Sequence, residues 1–295
     1  TVAIARCELG AEILPSQAPT LVVTTSAAGT WSSPVAPGTY IVAATSPGFL
    51  PGSLPKLVVG EGEQRGGLDL VLEAGGTLVK GTVSDVGGGP IGGARITVRT
   101  REDFSLSGHA DLVALTAADG TYQMTVRDGD YRIAASHDDY TKLGKSIDVK
   151  GKPLTVDFTL VPGGSIKGKV VARDSGKPVA GAWIDVQGKR NRSFGVGKAV
   201  SDDDGNFTLH SLESGAISLT AAGFGYASSS PTVVELGVGE QVDGITILVD
   251  RAFTIAGTVV DKRDPKKGIS GILIGGFSLA SQQVAIAHEP SDKDG

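Results

Sequence analysis

Gly75-Gly76-Thr77-Leu78-Val79-Lys80-Gly81-Thr82-Val83 decides how this chain is read, because the pattern comes back twice. Its second copy is Gly163-Gly164-Ser165-Ile166-Lys167-Gly168-Lys169-Val170, and its third is Ala252-Phe253-Thr254-Ile255-Ala256-Gly257-Thr258-Val259. Gly81, Gly168 and Gly257 lie 87 and 89 residues apart. Self-similarity at a fixed period marks a chain made of repeated structural units.

Other landmarks keep the same register. Gly93-Ala94-Arg95-Ile96-Thr97-Val98 corresponds to Gly181-Ala182-Trp183-Ile184-Asp185-Val186 and to Gly271-Ile272-Leu273-Ile274. Ala118-Asp119-Gly120-Thr121-Tyr122 corresponds to Asp203-Asp204-Gly205-Asn206-Phe207, to Lys293-Asp294-Gly295 and, upstream, to Ala28-Gly29-Thr30-Trp31. Tyr40, Tyr131 and Ile217 share one position of the repeat, and Phe49, Tyr140 and Tyr226 another. Each unit closes on an alternating run, Leu68–Leu72, Val156–Leu160 and Ile245–Val249. Alternation of period two places apolar side chains on one face of a strand. With 43 glycines and short β-branched runs, the chain reads as many strands joined by tight turns, and no helical period is found.

The expected fold class is therefore all-β: tandem Greek-key-type β-sandwich domains of about seven strands each. The repeat divides the chain at 1–73, a partial unit lacking its opening strands; 74–162 and 163–251, two complete units; and 252–295, a partial unit that stops at the Asp-Gly turn. The connections Glu73-Ala74-Gly75-Gly76 and Val161-Pro162-Gly163-Gly164 are short, which predicts a semi-rigid string.

The order of a Gly-x-Val strand, Pro90-Ile91-Gly92-Gly93-Ala94-Arg95-Ile96-Thr97-Val98 and Thr116-Ala117-Ala118-Asp119-Gly120-Thr121-Tyr122 resembles the carboxypeptidase regulatory-like domain, a transthyretin-like (prealbumin-like) sandwich. Pro178-Val179-Ala180-Gly181-Ala182-Trp183-Ile184-Asp185-Val186 and Ser201 to Phe207 carry the resemblance again, and it covers essentially the whole chain. It implies a fold and an accessory role beside many different activities, with no zinc site of its own.

Composition narrows the function classes. Lys plus Arg total 27 and Asp plus Glu 32, both signs interspersed and the net charge −5, so no basic stripe offers itself to nucleic acid. No apolar run approaches the roughly 20 residues of a membrane span. Cys7 is the only cysteine and reads as a small hydrophobe in or beside a strand. His109, His137, His210 and His288 show no zinc spacing, and no nucleophile elbow or phosphate loop is found. Asp202-Asp203-Asp204-Gly205 and Asp292-Lys293-Asp294-Gly295 invite a calcium reading, but Asp-Gly is also a common tight turn. Asn191 and Asn206, the only asparagines, stand on no closing strand, which argues against Lys–Asn isopeptide cross-links. Trp31, Trp183 and Tyr226 are candidates for a sugar platform, with core packing as the plainer reading of Trp31 and of Trp183, which is placed among the inward positions of its strand.

No catalytic, cofactor-binding or metal residue is identified, no cofactor is expected, and the ligand-binding residues stay unassigned. The expectation is a non-enzymatic structural or interaction protein, a stalk or adhesive spacer of a bacterial extracellular or cell-surface protein. Its partners would be the adjacent domains of the same longer chain and an unidentified protein or carbohydrate. The alternative is a carbohydrate- or peptide-binding accessory module of a larger secreted enzyme.

Residues 74–162 expressed alone are expected to unfold cooperatively by circular dichroism, because a full set of strands covers both inner faces. Residues 252–295 alone are expected to show no such transition, since Ile272, Ile274, Val284 and Ile286 would lack a closing strand.

Overall fold

The computed structural model describes the chain except residues 10–12, 16–20, 101–111, 189–198, 224, 253–256, 273, 278–283, 287–290, 293 and 295. Every described element is a strand. In order they are β1 (Val2–Leu9), β2 (Ile13–Pro15), β3 (Leu21–Val23), β4 (Gly38–Ser46), β5 (Phe49–Val59), β6 (Thr77–Asp85), β7 (Arg95–Thr100), β8 (Leu112–Leu115), β9 (Thr121–Val126), β10 (Gly129–His137), β11 (Tyr140–Val149), β12 (Leu154–Thr155) and β13 (Phe158–Leu160). There follow β14 (Gly164–Ala172), β15 (Trp183–Gln187), β16 (Ala199–Val200), β17 (Asn206–Leu212), β18 (Gly215–Gly223), β19 (Tyr226–Ala227), β20 (Thr232–Leu236), β21 (Gln241–Arg251), β22 (Val260–Asp261), β23 (Asp264–Gly268), β24 (Gly275–Phe277) and β25 (Val284–Ile286). The contacts group these into two compact units, Thr1–His137 with Lys142–Val161, and Asp138–Thr141 with Pro162–Gly295.

Within the first unit, β6 to β13 form a sandwich. One sheet runs β11-β10-β7-β8; in the other, β6 pairs with β9 on one side and with β12 and β13 on the other. β9 is antiparallel to β6, whereas β12 and β13 are parallel to it. The alternation along β6 is literal: Thr77, Val79, Gly81 and Val83 are buried, and Lys80 and Thr82 are exposed. Val79, Val83, Ile96, Val98, Met124, Ile133, Phe158 and Leu160 fill the space between the sheets, each almost fully buried. In the second unit β17-β14-β21 and β16-β15-β18, with β20 on β18, follow the same plan, and β19, pairing with both β18 and β21, joins them into one eight-stranded sheet. There Ile166, Val170, Ile184, Leu209, Leu219 and Ile247 make the core.

The recurring glycine of the Gly-x-Val strand is explained by a close backbone approach. The parallel ladder between β6 and its closing strand pairs Thr155 with Lys80 and resumes at Phe158 opposite Val83, so residues 156 and 157 arch over Gly81. A Cβ on Gly81 would lie 2.1 Å from the Val156 carbonyl oxygen and 3.1 Å from the Tyr122 ring. At Gly168 the corresponding distances are 2.3 Å to Ile245 O and 2.6 Å to Phe207 Cζ; here the ladder shifts register between Ile166 and Gly168, whereas beside Gly81 the register is kept across the gap.

Three sequence expectations are corrected. Residues 68–72 form no strand; Leu70 and Leu72 still pack on the core of β1, β4 and β5, but no strand among the described residues of 1–73 takes the place of β6 beside which such a run would pair. Gly257–Val259 is likewise not a strand, and Val260–Asp261 pairs instead with Asp264–Gly268. Trp183 stands on the face of β15 opposite Ile184 and Val186, half-buried, because it shares the outward position that Arg95 holds on β7.

Gly81→Ala and Gly168→Ala are each expected to cost about 3 kcal/mol or more, because the nearest obstacle is backbone of the partner strand. Gly66→Ala, at a position with no atom near its Cβ and no positive φ, should stay within about 0.5 kcal/mol of the parent. Denaturant titration of the three variants decides the matter.

Candidate functional site

The motif residues come first, because a binding function built into the repeat would use them. The turn Ala117–Gly120 is closed by the Gly120 amide donating to Ala117 O, and Gly120 takes φ +76°. Its carbonyl accepts from Val83 N, while Ile91 N donates to Val83 O, so the turn and the Pro90-Ile91 segment both dock on β6. Thr116 is buried; its hydroxyl donates to Ile91 O at 2.6 Å and accepts from Ala94 N at 2.8 Å. Ser201 repeats this with Val179 O at 2.7 Å and Ala182 N at 2.9 Å. Tyr122 donates its phenol proton to Val156 O at 2.6 Å, and burial together with the nearby Asp157 carboxylate pushes its ionisation well above the ordinary tyrosine value. These groups face inward and are committed to the fold.

The acidic turns are likewise occupied by their own chain. Asp119 Oδ1 accepts from the Thr121 hydroxyl at 2.7 Å and the Thr121 amide at 3.0 Å. Asp202 Oδ1 accepts from the amides of Asn206 at 2.7 Å and Asp204 at 3.0 Å. The Thr121 hydroxyl holds the Asp119 carboxyl below its usual range, and the Asn206 amide does the same for Asp202. Among the described residues no group of three or more His, Cys, Asp or Glu is gathered where it would hold an ion. His210 lies on the exposed face of β17 between Leu209 and Leu212; His109 and His288, Asn191, the Gly295 end of the last Asp-Gly turn and the Cys7 side chain lie outside the described residues.

The three aromatic candidates are not brought together. Trp31, half-buried, packs on the core of Tyr40, Val42 and Ile4 in the first unit. In the second unit Tyr226 packs on the core, whereas Trp183 is outward, opposite Ala222 in the register. Two hollows lie among the described residues of the first unit. One, of about 740 Å³, is bounded by Trp31, Tyr40, Val42, Leu57, Leu68 and Leu70, among others. The other, of about 620 Å³, is open and lined by Thr45, Lys80, Thr82, Tyr122, Gln123 and Asp157, among others. Asp157 Oδ1 there accepts from the Thr82 amide and hydroxyl at 2.8 and 2.9 Å, and Lys145 Nζ donates to Asp157 O at 2.5 Å. Sequence reasoning did not find this cleft, since its walls join residues from Thr1 to Asp157, including outward members of the repeat motifs, that no single stretch of sequence places together.

The sequence pattern of the carboxypeptidase regulatory-like domain matches residues 78–161 and again residues 165–249, more than half of the chain. No curated protein matches it. Among solved structures, the minor pilin of Streptococcus agalactiae is 15% identical, with 62% of this chain and 100% of that chain covered and a TM-score of 0.32. A streptococcal ancillary pilin is 19% identical, covering 74% and 76%, at a TM-score of 0.30. The shaft pilin of Lactobacillus rhamnosus GG is 13% identical, covering 61% and 99%, at 0.27.

Carboxyl groups held below their ordinary value of 3.8 bind protons more weakly when folded than when unfolded. Their contribution to stability is present above that value and lost as pH falls through the lowered folded one. Between about pH 5 and pH 2.5 the wild-type Tm is expected to drop, and Asp119→Asn and Asp202→Asn to drop less steeply. Equal slopes for wild type and both variants in calorimetry would contradict the assignment.

Proposed function

We propose that this chain, which belongs to the carboxypeptidase regulatory-like domain family, is a non-catalytic run of structural domains that spaces and presents other parts of an extracellular or cell-surface protein. The observation that carries this reading is the tandem arrangement: the two matched domains are separated only by residues 162–164. A connection that short leaves little freedom between neighbours, so successive domains add distance in a defined way. The polar groups of the motif turns support the same reading, since Thr116 and Ser201, which share one position of the repeat, and Asp119 and Asp202 bond to their own domain. No helix among the described residues is long and apolar enough to cross a membrane. The division into a partial domain at 1–73, domains at 74–162 and 163–251, and a further partial domain at 252–295 belongs to this proposal.

A second reading is favoured by the cleft beside Lys80 and Gln123, whose hydroxyl-bearing walls and about 620 Å³ suit a sugar or an extended peptide. Under it the chain is an accessory binding module of a larger secreted enzyme.

Glycan and peptide arrays probed with the whole chain separate the two. The spacer reading expects no selective binding. Selective binding abolished by Lys80→Ala, or by changing Trp31, Trp183 or Tyr226, would replace it with the second.

A further inference from the structure

Phe49, Tyr140 and Tyr226 keep the repeat period outside the Gly-x-Val, Gly-Ala and Asp-Gly motifs. Each begins the return strand of a hairpin, after β4, β10 and β18 respectively. Each also pairs with the chain that leads out of its own domain: Phe49 bridges Ala74, Tyr140 bridges Pro162, and Tyr226 pairs with Arg251. The residue just before each, at the hairpin tip, presents its carbonyl to the next linker amide. Gly75 N donates to Gly48 O at 3.0 Å, Gly163 N to Asp139 O at 2.8 Å and Ala252 N to Gly225 O at 2.7 Å. One arrangement occurring three times in a chain is a property of the repeat, and the last two instances lie within the second unit.

Hydroxyl groups hold the tip as well. In the first unit the Gly48 amide donates to Thr125 Oγ1 at 2.8 Å, and the Thr45 hydroxyl donates to Val113 O at 2.6 Å. Thr45 and Thr125 are 6% and 2% exposed, so these bonds are shielded from water. Thr125 stands at the end of β9. In the second unit Ser211, near the end of the equivalent strand β17, donates to Asp138 O at 3.2 Å. Ser211 has φ +59°, the one left-handed conformation among the described non-glycine residues. Such a conformation persists where its surroundings over-determine it.

We propose that the hairpin tip preceding Phe49, Tyr140 and Tyr226 is a clasp between consecutive domains. Its carbonyl orders the linker amide, and a hydroxyl at the end of the following domain's β9-type strand, Thr125 or Ser211, secures the tip. The clasp goes beyond the spacer reading, since it couples neighbouring domains whatever they present.

Amide hydrogen exchange followed by NMR on the whole chain tests it. The Gly75 and Gly163 amides are expected to exchange at least about tenfold more slowly than unstructured peptide. Exchange at the unstructured rate overturns the clasp. Thr125→Val keeps the side-chain shape and removes the acceptor; it is expected to speed exchange at Gly48 and Gly75 by roughly threefold to tenfold, leaving Val98 and Ile133 unchanged. Unaltered linker amides, or core amides accelerated to the same degree, refute a role for Thr125 in the clasp and with it the proposal. If Thr125→Val does not fold, Thr45→Val is read on the same amides against the same criteria.

Discussion

Two backbones approach too closely at Gly81 and at Gly168 for any side chain to stand between them, and much of each domain is organised around that approach. The closing strand runs parallel to the opening strand and arches across the glycine, bringing Val156 O or Ile245 O to where a Cβ would sit. Parallel pairing of first and last strands requires a long crossover, so the contact joins residues at the two ends of each domain. The arch also positions the Val156 carbonyl to accept from Tyr122, the aromatic of the Asp-Gly turn. Three separate sequence landmarks thus meet at one point.

The neighbouring motif elements dock on the same strand. Gly120 and Gly205 lie 2.5 and 2.7 Å, by their would-be Cβ atoms, from Val83 O and Val170 O, and the prolines Pro90 and Pro178 pack on the other side. Thr116 and Ser201 stitch the turn to the Pro-x-x-Gly-Ala segment with buried hydrogen bonds, which in a low-dielectric interior are costly to leave unmade. A repeat whose motifs are consumed by its own fold has its outward faces free to differ. Arg95 and Trp183 show this: they occupy equivalent outward positions with unrelated chemistry, while their inward neighbours Ile96 and Ile184 are identical.

At the ends of the domains the organising groups are main-chain amides and carbonyls. The tips at Gly48, Asp139 and Gly225 meet the linkers through atoms that every residue carries, which is why side-chain patterns reveal them only through the spacing of Phe49, Tyr140 and Tyr226.

The Gly-x-Val strands, the second strands at Arg95 and Trp183, the alternation of Ile245–Val249 and the turn glycines were legible in the amino-acid sequence, because strand period and turn conformation are local properties repeated at a fixed interval. The reason Gly81 is glycine was not legible, since the carbonyl that excludes a Cβ belongs to a residue 75 positions away. Nor was the failure of Leu68–Leu72 to form a strand: its alternation is intact, but a strand needs a hydrogen-bonding neighbour, and only the three-dimensional arrangement shows whether one stands beside it. The outward placement of Trp183 was decided in the same way, by register against β18. Local pattern determines which residues have two unlike faces; long-range backbone pairing decides which face is covered, and by what.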